Sequence, residues 1–153
     1  MAAICYMGDW QGGAMQQANK HIELVGSGRG FTDITATLSE WVAASGIRTG
    51  ILTAFVPHTS ASLVIQENAD PNVRGDLEAF FAKLVPDDDP VYRHKSEGGD
   101  DMPSHIRSAL TQTQVSVPVD AGTLTLGTWQ SVYFWEHRTQ PRKRHLLLHL
   151  IGE

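Results

Sequence analysis

Apolar and polar residues alternate at both ends of the folded part of the chain, which predicts strands there. Residues 20–25 alternate until glycines at positions 26, 28 and 30 interrupt the pattern. Residues 51–56 and 61–66 form two further strand-like runs on either side of Pro57, His58 and Thr59. After residue 114 the pattern predicts a β-meander with strands at residues 115–119, 123–126, 129–138 and 144–151.

Between these strands, apolar residues recur at helical steps of three and four. The first predicted helix places Phe31, Ile34, Leu38, Trp41 and Val42 on one face; Thr32 or Asp33 would cap it, and Gly46 would end it. The second runs from Pro71 to Leu84 behind an Asp70 N-cap, and the third begins at Asp101 and lasts about three turns. Strands and helices in this order predict a single α+β domain.

Composition narrows the functional classes. The chain has 153 residues and a net charge of −5, which argues against broad binding to nucleic acid or anionic membrane. A single cysteine, Cys5, and no long apolar run favour a cytoplasmic protein without disulfides or a membrane span. Residues 1–14 lack periodicity and are predicted to be a poorly ordered extension before a domain at 15–153. The basic segment 138–144 is interpreted as a solvated or subunit-facing turn rather than a nucleic-acid site.

Two polar clusters interrupt the first apolar strands and the second helix. His58 lies at a strand break, where it is either a turn histidine bonded to backbone or a functional group. Glu67, Asn68 and Asp70 stand at a junction between a strand and a helix. Capping explains Asp70 but not Glu67 and Asn68, so this junction is also a candidate anion site.

Two more clusters follow in the second half of the chain. Residues 93–105 hold His94, His105 and the carboxylates Glu97, Asp100 and Asp101, the densest set of candidate ligands and acid–base groups. A solvated acidic loop is the alternative interpretation. Further on, a strand carries Gln130 and Glu136, and alternation places Glu136 on the same face as two apolar residues, next to Arg138.

Taken together, these segments resemble a known family. HTSA at 58–61, ENADPNV at 67–73, YRH at 92–94, EGGDDMPSHI at 97–106, LGTWQ at 126–130 and EHR at 136–138 are similar, in unbroken order, to signature segments of the YjbQ family, also called the secondary thiamine-phosphate synthase family. The resemblance covers residues 20–153. The sequence departs from many relatives at Trp135, where a cysteine is often found, which weakens any essential role for a thiol there.

The resemblance implies a sandwich-like β core flanked by helices, a homotrimer, and a weak thiamine-phosphate synthase activity. In that reaction a pyrimidine methyl pyrophosphate loses pyrophosphate as a thiazole phosphate nitrogen bonds to its carbon. Metal-binding carboxylates and cationic side chains would assist the leaving group. We therefore expect a phosphorylated small molecule as the ligand.

The sequence thus predicts a small trimeric enzyme of thiamine-phosphate synthase type. The alternatives are a metal- or metabolite-binding protein without turnover and a structural or regulatory trimer. The candidate cofactor is a divalent metal, zinc or magnesium, and no organic cofactor is expected. His58, His94 and His105 are predicted to converge as metal ligands. The candidate catalytic residues are His58, Glu67, Asn68, Asp70, Glu97, Asp100, Asp101, Gln130 and Glu136.

Overall fold

Two antiparallel sheets organise the molecule, for which a computed structural model describes residues 13–153. The larger sheet has the strand order β1-β8-β3-β5-β6 and the smaller has the order β2-β7-β4. The strands are β1 Gln16–Val25, β2 Gly30–Asp33, β3 Gly50–Phe55, β4 Ala61–Glu67, β5 Gln114–Asp120, β6 Thr123–Leu124, β7 Gln130–Glu136 and β8 Lys143–Gly152. The helices are α1 Thr35–Ser45, α2 Pro71–Leu84 and α3 Asp101–Leu110.

The hydrophobic core lies between the two sheets. Leu52 and Leu148 of the larger sheet, Leu63 and Phe134 of the smaller sheet, and Leu38 of α1 are all fully buried members of one cluster. Each such side chain contributes about 1.5–3 kcal/mol relative to an exposed position. The prediction of one α+β domain is confirmed, with two antiparallel sheets and three helices.

The helix boundaries follow local chemistry, with two corrections to the sequence prediction. The predicted caps of α1, Thr32 and Asp33, lie in β2, and the N-cap position is Ile34, which makes no side-chain capping hydrogen bond. Gly46 ends α1 in the left-handed region with a φ of 78°, as predicted. Asp70 caps α2 by accepting a hydrogen bond from Asn72 N at 2.8 Å, also as predicted. Phe31, however, belongs to strand β2 rather than to the first helix, because it pairs with Trp135 of β7 and stacks on its ring with centroids 4.3 Å apart.

The opposite face of the smaller sheet is polar as well as aromatic. Its Tyr133 OH accepts from Arg74 Nη1 of α2 at 2.9 Å, and Trp135 Nε1 donates to Glu78 of the same helix. His137, just beyond β7, lies 2.9 Å from Ser62 Oγ and is fully buried. The smaller sheet therefore has an apolar face toward the larger sheet and a hydrogen-bonded face toward α2.

Most residues of the predicted amino-terminal extension lie outside the part of the chain that the structure describes. Residues 1–12 are not described, so the predicted extension is not assessed for them. Strand β1 begins at Gln16, four residues earlier than the alternation predicts, and pairs along its whole length with β8. No helix within residues 13–153 is long and apolar enough to cross a bilayer.

Candidate metal site and its surroundings

Two histidines and one aspartate meet where the acidic loop joins α3. His94 Nε2 lies 2.8 Å from Asp101 Oδ2, and His105 Nε2 lies 3.5 Å from Asp101 Oδ1. Their nearest ligand atoms all fall within 4.8 Å of one another. Asp101 and His105 are four residues apart on α3 and therefore share one face of the helix. Imidazole and carboxylate groups at this spacing can bind one divalent metal ion.

The chemistry of Asp101 supports this interpretation. Its side chain is 3% exposed, and one oxygen, Oδ1, accepts a hydrogen bond from Arg138 Nη1. The other oxygen, Oδ2, has no hydrogen-bond partner among residues 13–153, although His94 Nε2 is close. The two atoms approach each other without the alignment of a hydrogen bond. A buried carboxylate oxygen usually has a partner, and a shared metal ion would satisfy both atoms.

Backbone geometry determines which nitrogen of His105 faces Asp101. Its Nδ1 lies 2.9 Å from the carbonyl oxygen of Thr59, so Nδ1–H donates, and in the neutral ring Nε2 carries the lone pair. Metal-binding histidines commonly donate their second ring N–H to a carbonyl in this way. The segment that contains His58 and Thr59 therefore orients a ligand that comes from a different element.

Arg138 holds the remaining acidic residues of the loop. Its guanidinium contacts Asp100 at 3.1 Å, Glu97 at 3.5 Å and Asp101, and it donates to the carbonyl of Glu97 at 2.7 Å. Partial burial by itself raises the pKa of Asp100, but hydrogen bonds from Thr139 and Arg138 outweigh it and lower the pKa to about 2. Glu97 and Asp100 thus neutralise Arg138, and Asp101 alone of the three carboxylates contacts the imidazoles.

His58 lies apart from this ligand group. Its Nε2 accepts a hydrogen bond from His145 N at 2.8 Å, so that nitrogen is engaged with backbone. The ring lines a cavity of about 410 Å³ together with Thr59, His105, Ser108, Ala109 and Thr113. The group of ligand atoms within 4.8 Å of one another contains His94, Asp101 and His105 but not His58, which shares the cavity with His105.

Glu136 is buried, as alternation indicated, but its principal partner is Arg144. Arg144 Nε and Nη2 each donate to Glu136 at 2.6 Å, and Arg138 donates only its backbone N–H, at 3.0 Å. Arg144 also reaches Ser60 Oγ at 2.9 Å. Both oxygens of Glu136 are occupied by these donors, so its geometry is that of a structural anchor beneath the site.

The remaining candidates lie at the other end of the smaller sheet. Glu67 pairs with Gln130, whereas Ala61 pairs with Glu136, and the seven residues of β4 separate the two ends by about 20 Å. Asn68 donates to Ser131 Oγ at 3.2 Å, and Gln130 Oε1 accepts from Gly127 N at 2.8 Å. Asp70 serves as the cap of α2. One chain does not bring Glu67, Asn68, Asp70 and Gln130 to the histidines.

Two buried residues that were not predicted as site residues are Arg107, on α3, and His137, just beyond β7. Arg107 is 1% exposed and donates from Nη2 to Val85 O at 3.0 Å, while its Nε and Nη1 have no partner among the described residues. His137 Nδ1 likewise has none within residues 13–153. Burial, and then the positive charges of Arg107, Arg29 and Arg144, lower the pKa of His137 to about 3. This histidine is neutral at physiological pH.

The sequence contained one signal for the aspartate ligand. Asp101 and His105 have the i, i+4 spacing that places two ligands on one helical face. The roles of Arg144, His145 and the Thr59 carbonyl depend on long-range contacts and carry no local pattern.

These features define a class of protein: a two-sheet α+β domain with a histidine–carboxylate group where a loop joins a helix. Residues 20–153 match the family described as UPF0047 protein YjbQ-like, and the chain belongs to this family. A UPF0047 protein from Synechocystis is 49% identical over 138 residues, which cover 90% of this chain and 94% of that relative. The UPF0047 protein YjbQ of Salmonella typhimurium is 44% identical, with coverage of 82% and 91%.

Solved structures agree with the fold. A conserved hypothetical protein from Thermus thermophilus is 34% identical and has a TM-score of 0.75, with coverage of 84% of this chain and 97% of that one. A YbjQ-like protein of unknown function from Sulfolobus solfataricus has a TM-score of 0.82 at 24% identity, covers 91% and 99%, and is evidence for the fold alone.

Proposed function

We propose that this chain is a metal-assisted enzyme that acts on phosphorylated small molecules, with His94, Asp101 and His105 as the metal ligands. The observation that carries the proposal is the buried Oδ2 of Asp101, which lies 2.8 Å from His94 Nε2 but accepts no aligned hydrogen bond from residues 13–153. Two nitrogens and one carboxylate suit zinc better than magnesium, which prefers an all-oxygen shell. Three protein ligands leave a further coordination position for a substrate oxygen, as catalytic zinc sites do.

The proposed reaction is of thiamine-phosphate synthase type, as the family resemblance suggests. A thiazole nitrogen bonds to the methylene carbon of the pyrimidine, the carbon–oxygen bond breaks, and its electron pair leaves with pyrophosphate. A metal held by these ligands would supply positive charge where the leaving group accumulates negative charge. The cavity beside His105 supports this role, since its volume of about 410 Å³ is that of a typical small-molecule site.

Residues of the chain would prepare the site in three ways. The Thr59 carbonyl holds the ring proton of a neutral His105 on Nδ1, which leaves the Nε2 lone pair for a metal ion. Arg138 holds Asp101 through Oδ1 and leaves Oδ2 close to His94 Nε2, at 2.8 Å. Arg138 also contacts Asp100 and Glu97, so part of the negative charge next to the ligands is compensated and a phosphorylated ligand is repelled less.

We propose a homotrimer as the assembly, which the family resemblance suggests. The outer face of the larger sheet supports an interface between copies. Phe55 pairs with Leu147 and Ile51 with Ile151 across β3 and β8, and Ile51 and Phe55 are 42% and 38% exposed. Two apolar cross-strand pairs on a sheet face are typical of a surface that another molecule covers. Light scattering should give about three times the 16.8 kDa chain mass, and a stable monomer contradicts this proposal.

The direct test of the enzymatic proposal has two measurements. Purified protein, stripped of metal and reloaded with zinc, should form thiamine phosphate and pyrophosphate from the two phosphorylated precursors, and the stripped protein should not. A strain that lacks thiamine-phosphate synthase should grow without thiamine when it expresses the parent chain, and fail to do so with His94→Ala. Equal activity of stripped and reloaded protein would end the metal-assisted mechanism.

A second candidate is a metal or metabolite carrier without turnover. The observation that favours it is the pairing of Glu97, Asp100 and Glu136 with arginines, which leaves these three without the character of a free acid or base. Under this alternative, zinc and thiamine phosphate bind with normal affinity while no pyrophosphate is released. Binding and turnover measured on the same preparation separate the two functions.

A further inference from the structure

The side chain of His58 makes a hydrogen bond to β8 beyond the point where the backbone pairing of β3 with β8 ends. Strand β3 pairs with β8 as far as Phe55 and Leu147, and it ends before it reaches His145. The imidazole of His58 then occupies the position of the next backbone acceptor, because its Nε2 accepts from His145 N at 2.8 Å. A backbone amide that a terminated strand would leave without a partner is thus satisfied by a ring nitrogen.

This contact selects one tautomer of His58. A backbone N–H can only donate, so Nε2 must keep its lone pair and the ring proton of a neutral His58 must lie on Nδ1. A second proton, on Nε2 of His58, would place this N–H donor against the backbone N–H donor of His145. Within residues 13–153, Nδ1 has no hydrogen bond of its own, and its N–H remains available to a ligand.

The electrostatic surroundings act in the same direction. Burial is the largest cause that lowers the pKa of His58, followed by the charge of Arg144 and the neighbouring ring of His145. Glu136 opposes them, but its charge is largely compensated by Arg144 at 2.6 Å. The His145 ring stacks on His58 with centroids 6.0 Å apart, and His105 faces the same cavity.

The cavity that His58 lines has no formally charged residue in its lining. Apart from the two histidines it is surrounded by Thr59, Ser108, Ala109 and Thr113. Ser108 Oγ donates to Ala61 O at 3.0 Å and is engaged there. An uncharged lining suits an uncharged part of a ligand, and a neutral donor at its wall suits a carbonyl oxygen, a phosphate ester oxygen or a ring nitrogen.

We propose that His58 is a ligand-binding residue of this site, held as a neutral Nδ1–H hydrogen-bond donor that binds an acceptor atom of a ligand in the cavity. The inference deepens the proposed function, since it assigns His58 a role at the site of the metal ligands and gives the cavity-facing part of the ligand a class: neutral, with an oxygen or nitrogen acceptor. Under this proposal, His58 is neither a metal ligand nor a proton carrier.

The first test follows the imidazole nitrogens of His58 by nuclear magnetic resonance on ¹⁵N-labelled full-length protein. We expect the Nδ1–H tautomer throughout pH 6.5 to 8 and little change when zinc is added, while the ring signals of His94 and His105 shift. Loss of the His58 Nδ1–H signal in favour of Nε2–H, or a large zinc-induced shift at His58, would overturn the proposal.

The second test adds acceptor probes to the zinc-loaded protein: thiamine phosphate, inorganic phosphate and acetamide. At least one probe should move the His58 Nδ1–H resonance, and no movement with any probe contradicts the donor role. If acetamide moves it while thiamine phosphate does not, the donor role stands and the thiamine proposal fails, whereas movement with inorganic phosphate alone contradicts the neutral class of ligand. The two proposals therefore fail through different observations.

Two variants complete the design. For the probe that binds the parent chain, His58→Phe should weaken affinity about 10-fold, which corresponds to about 1.4 kcal/mol. His58→Gln, which keeps one acceptor for His145 N and one donor, should stay within about 3-fold. Zinc affinity should be unchanged in both. Equal probe binding by His58→Phe would exclude the donor role, and, should that variant fail to fold, the shift in the parent chain decides the question.

Discussion

The two ends of the smaller sheet are both rich in polar residues, yet they differ in what their polar atoms contact. At the end near Ala61 and Glu136, the site contains a buried carboxylate oxygen of Asp101 that lacks a hydrogen-bond partner within residues 13–153. At the end near Glu67 and Gln130, Asn68 and Gln130 are bonded to Ser131 and to the backbone of Gly127. The sequence marks both ends as candidate sites.

The difference shows which property distinguishes a candidate site from a stabilised turn. Polar side chains that bond to their own chain are satisfied in the absence of any ligand, so the fold itself accounts for them. A buried carboxylate oxygen that accepts no hydrogen bond is costly, even when the other oxygen is paired, unless a ligand or metal ion satisfies it. On this criterion, the end with His94, Asp101 and His105 is the candidate for chemistry.

The largest effect on stability is expected beneath the histidine end. Glu136→Gln leaves Arg144 buried without a compensating charge and should lower the free energy of unfolding by about 3–5 kcal/mol. Urea denaturation measures this loss. The double variant Glu136→Gln with Arg144→Met should recover part of it, because both charges are then removed. A loss below about 1 kcal/mol for the single variant contradicts the anchoring role of the pair.

The largest effect on binding is expected at Asp101. Asp101→Asn keeps the size of the side chain but removes its charge, and it should weaken zinc binding at least about 100-fold. Glu67→Gln makes the same chemical change at the other end of the sheet and should leave zinc affinity within about 2-fold. Isothermal titration with zinc compares the two variants. Comparable losses in both, or none in Asp101→Asn, would remove the distinction between the two ends.

The pH dependence of stability should report the buried His137. Its pKa is about 3 in the folded protein and near 6.5 when unfolded, so the unfolded state binds more protons between these values. The contribution of neutral His137 to the free energy of unfolding is therefore fully present above pH 6.5. It is lost as the pH decreases, by about 1.4 kcal/mol per pH unit well inside this window. Denaturation of the parent and of His137→Gln between pH 7.5 and 4.5 should show a shallower decrease in the variant; parallel curves would mean that His137 is protonated without cost.

Local patterns predicted the fold well, because each depends on neighbours in sequence. Alternation located the strands other than β2, and Asp70 and Gly46 identified the start of α2 and the end of α1 through their own backbone chemistry. Phe31 was wrongly assigned to a helix because its apolar spacing fits either structure, and the pairing of β2 with β7 decided between them. A pairing partner about 100 residues away leaves no periodic signal.

The candidate site was predictable as a region but not as a set of contacts. The dense polar segment drew attention to His94, Asp101 and His105, whose spacing in sequence is short. The position of His58 was less predictable, since its partner His145 is 87 residues away on a different strand. The same limitation applies to Glu136, which composition and alternation paired with Arg138 rather than with Arg144.

The smallest effects are expected at the end of the sheet where the polar groups are satisfied. Asn68→Ala removes hydrogen bonds to Ser131 Oγ at 3.2 Å and to Gln130 O at 3.5 Å, of which the second is long and exposed. A hydrogen bond of this kind contributes about 0.5–1.5 kcal/mol to the free energy of unfolding. The variant should therefore unfold only slightly more easily than the parent and bind zinc with the same affinity. Gln130→Ala, which frees Gly127 N to contact water, should behave similarly. Urea denaturation and zinc titration of both variants test this expectation.

A loss of turnover in either variant, with stability and zinc affinity unchanged, would mean that this end of the sheet also contacts the substrate. Because it lies at the far end of β4, about 20 Å along the strand from Ala61, that contact would have to come from a neighbouring copy of the chain.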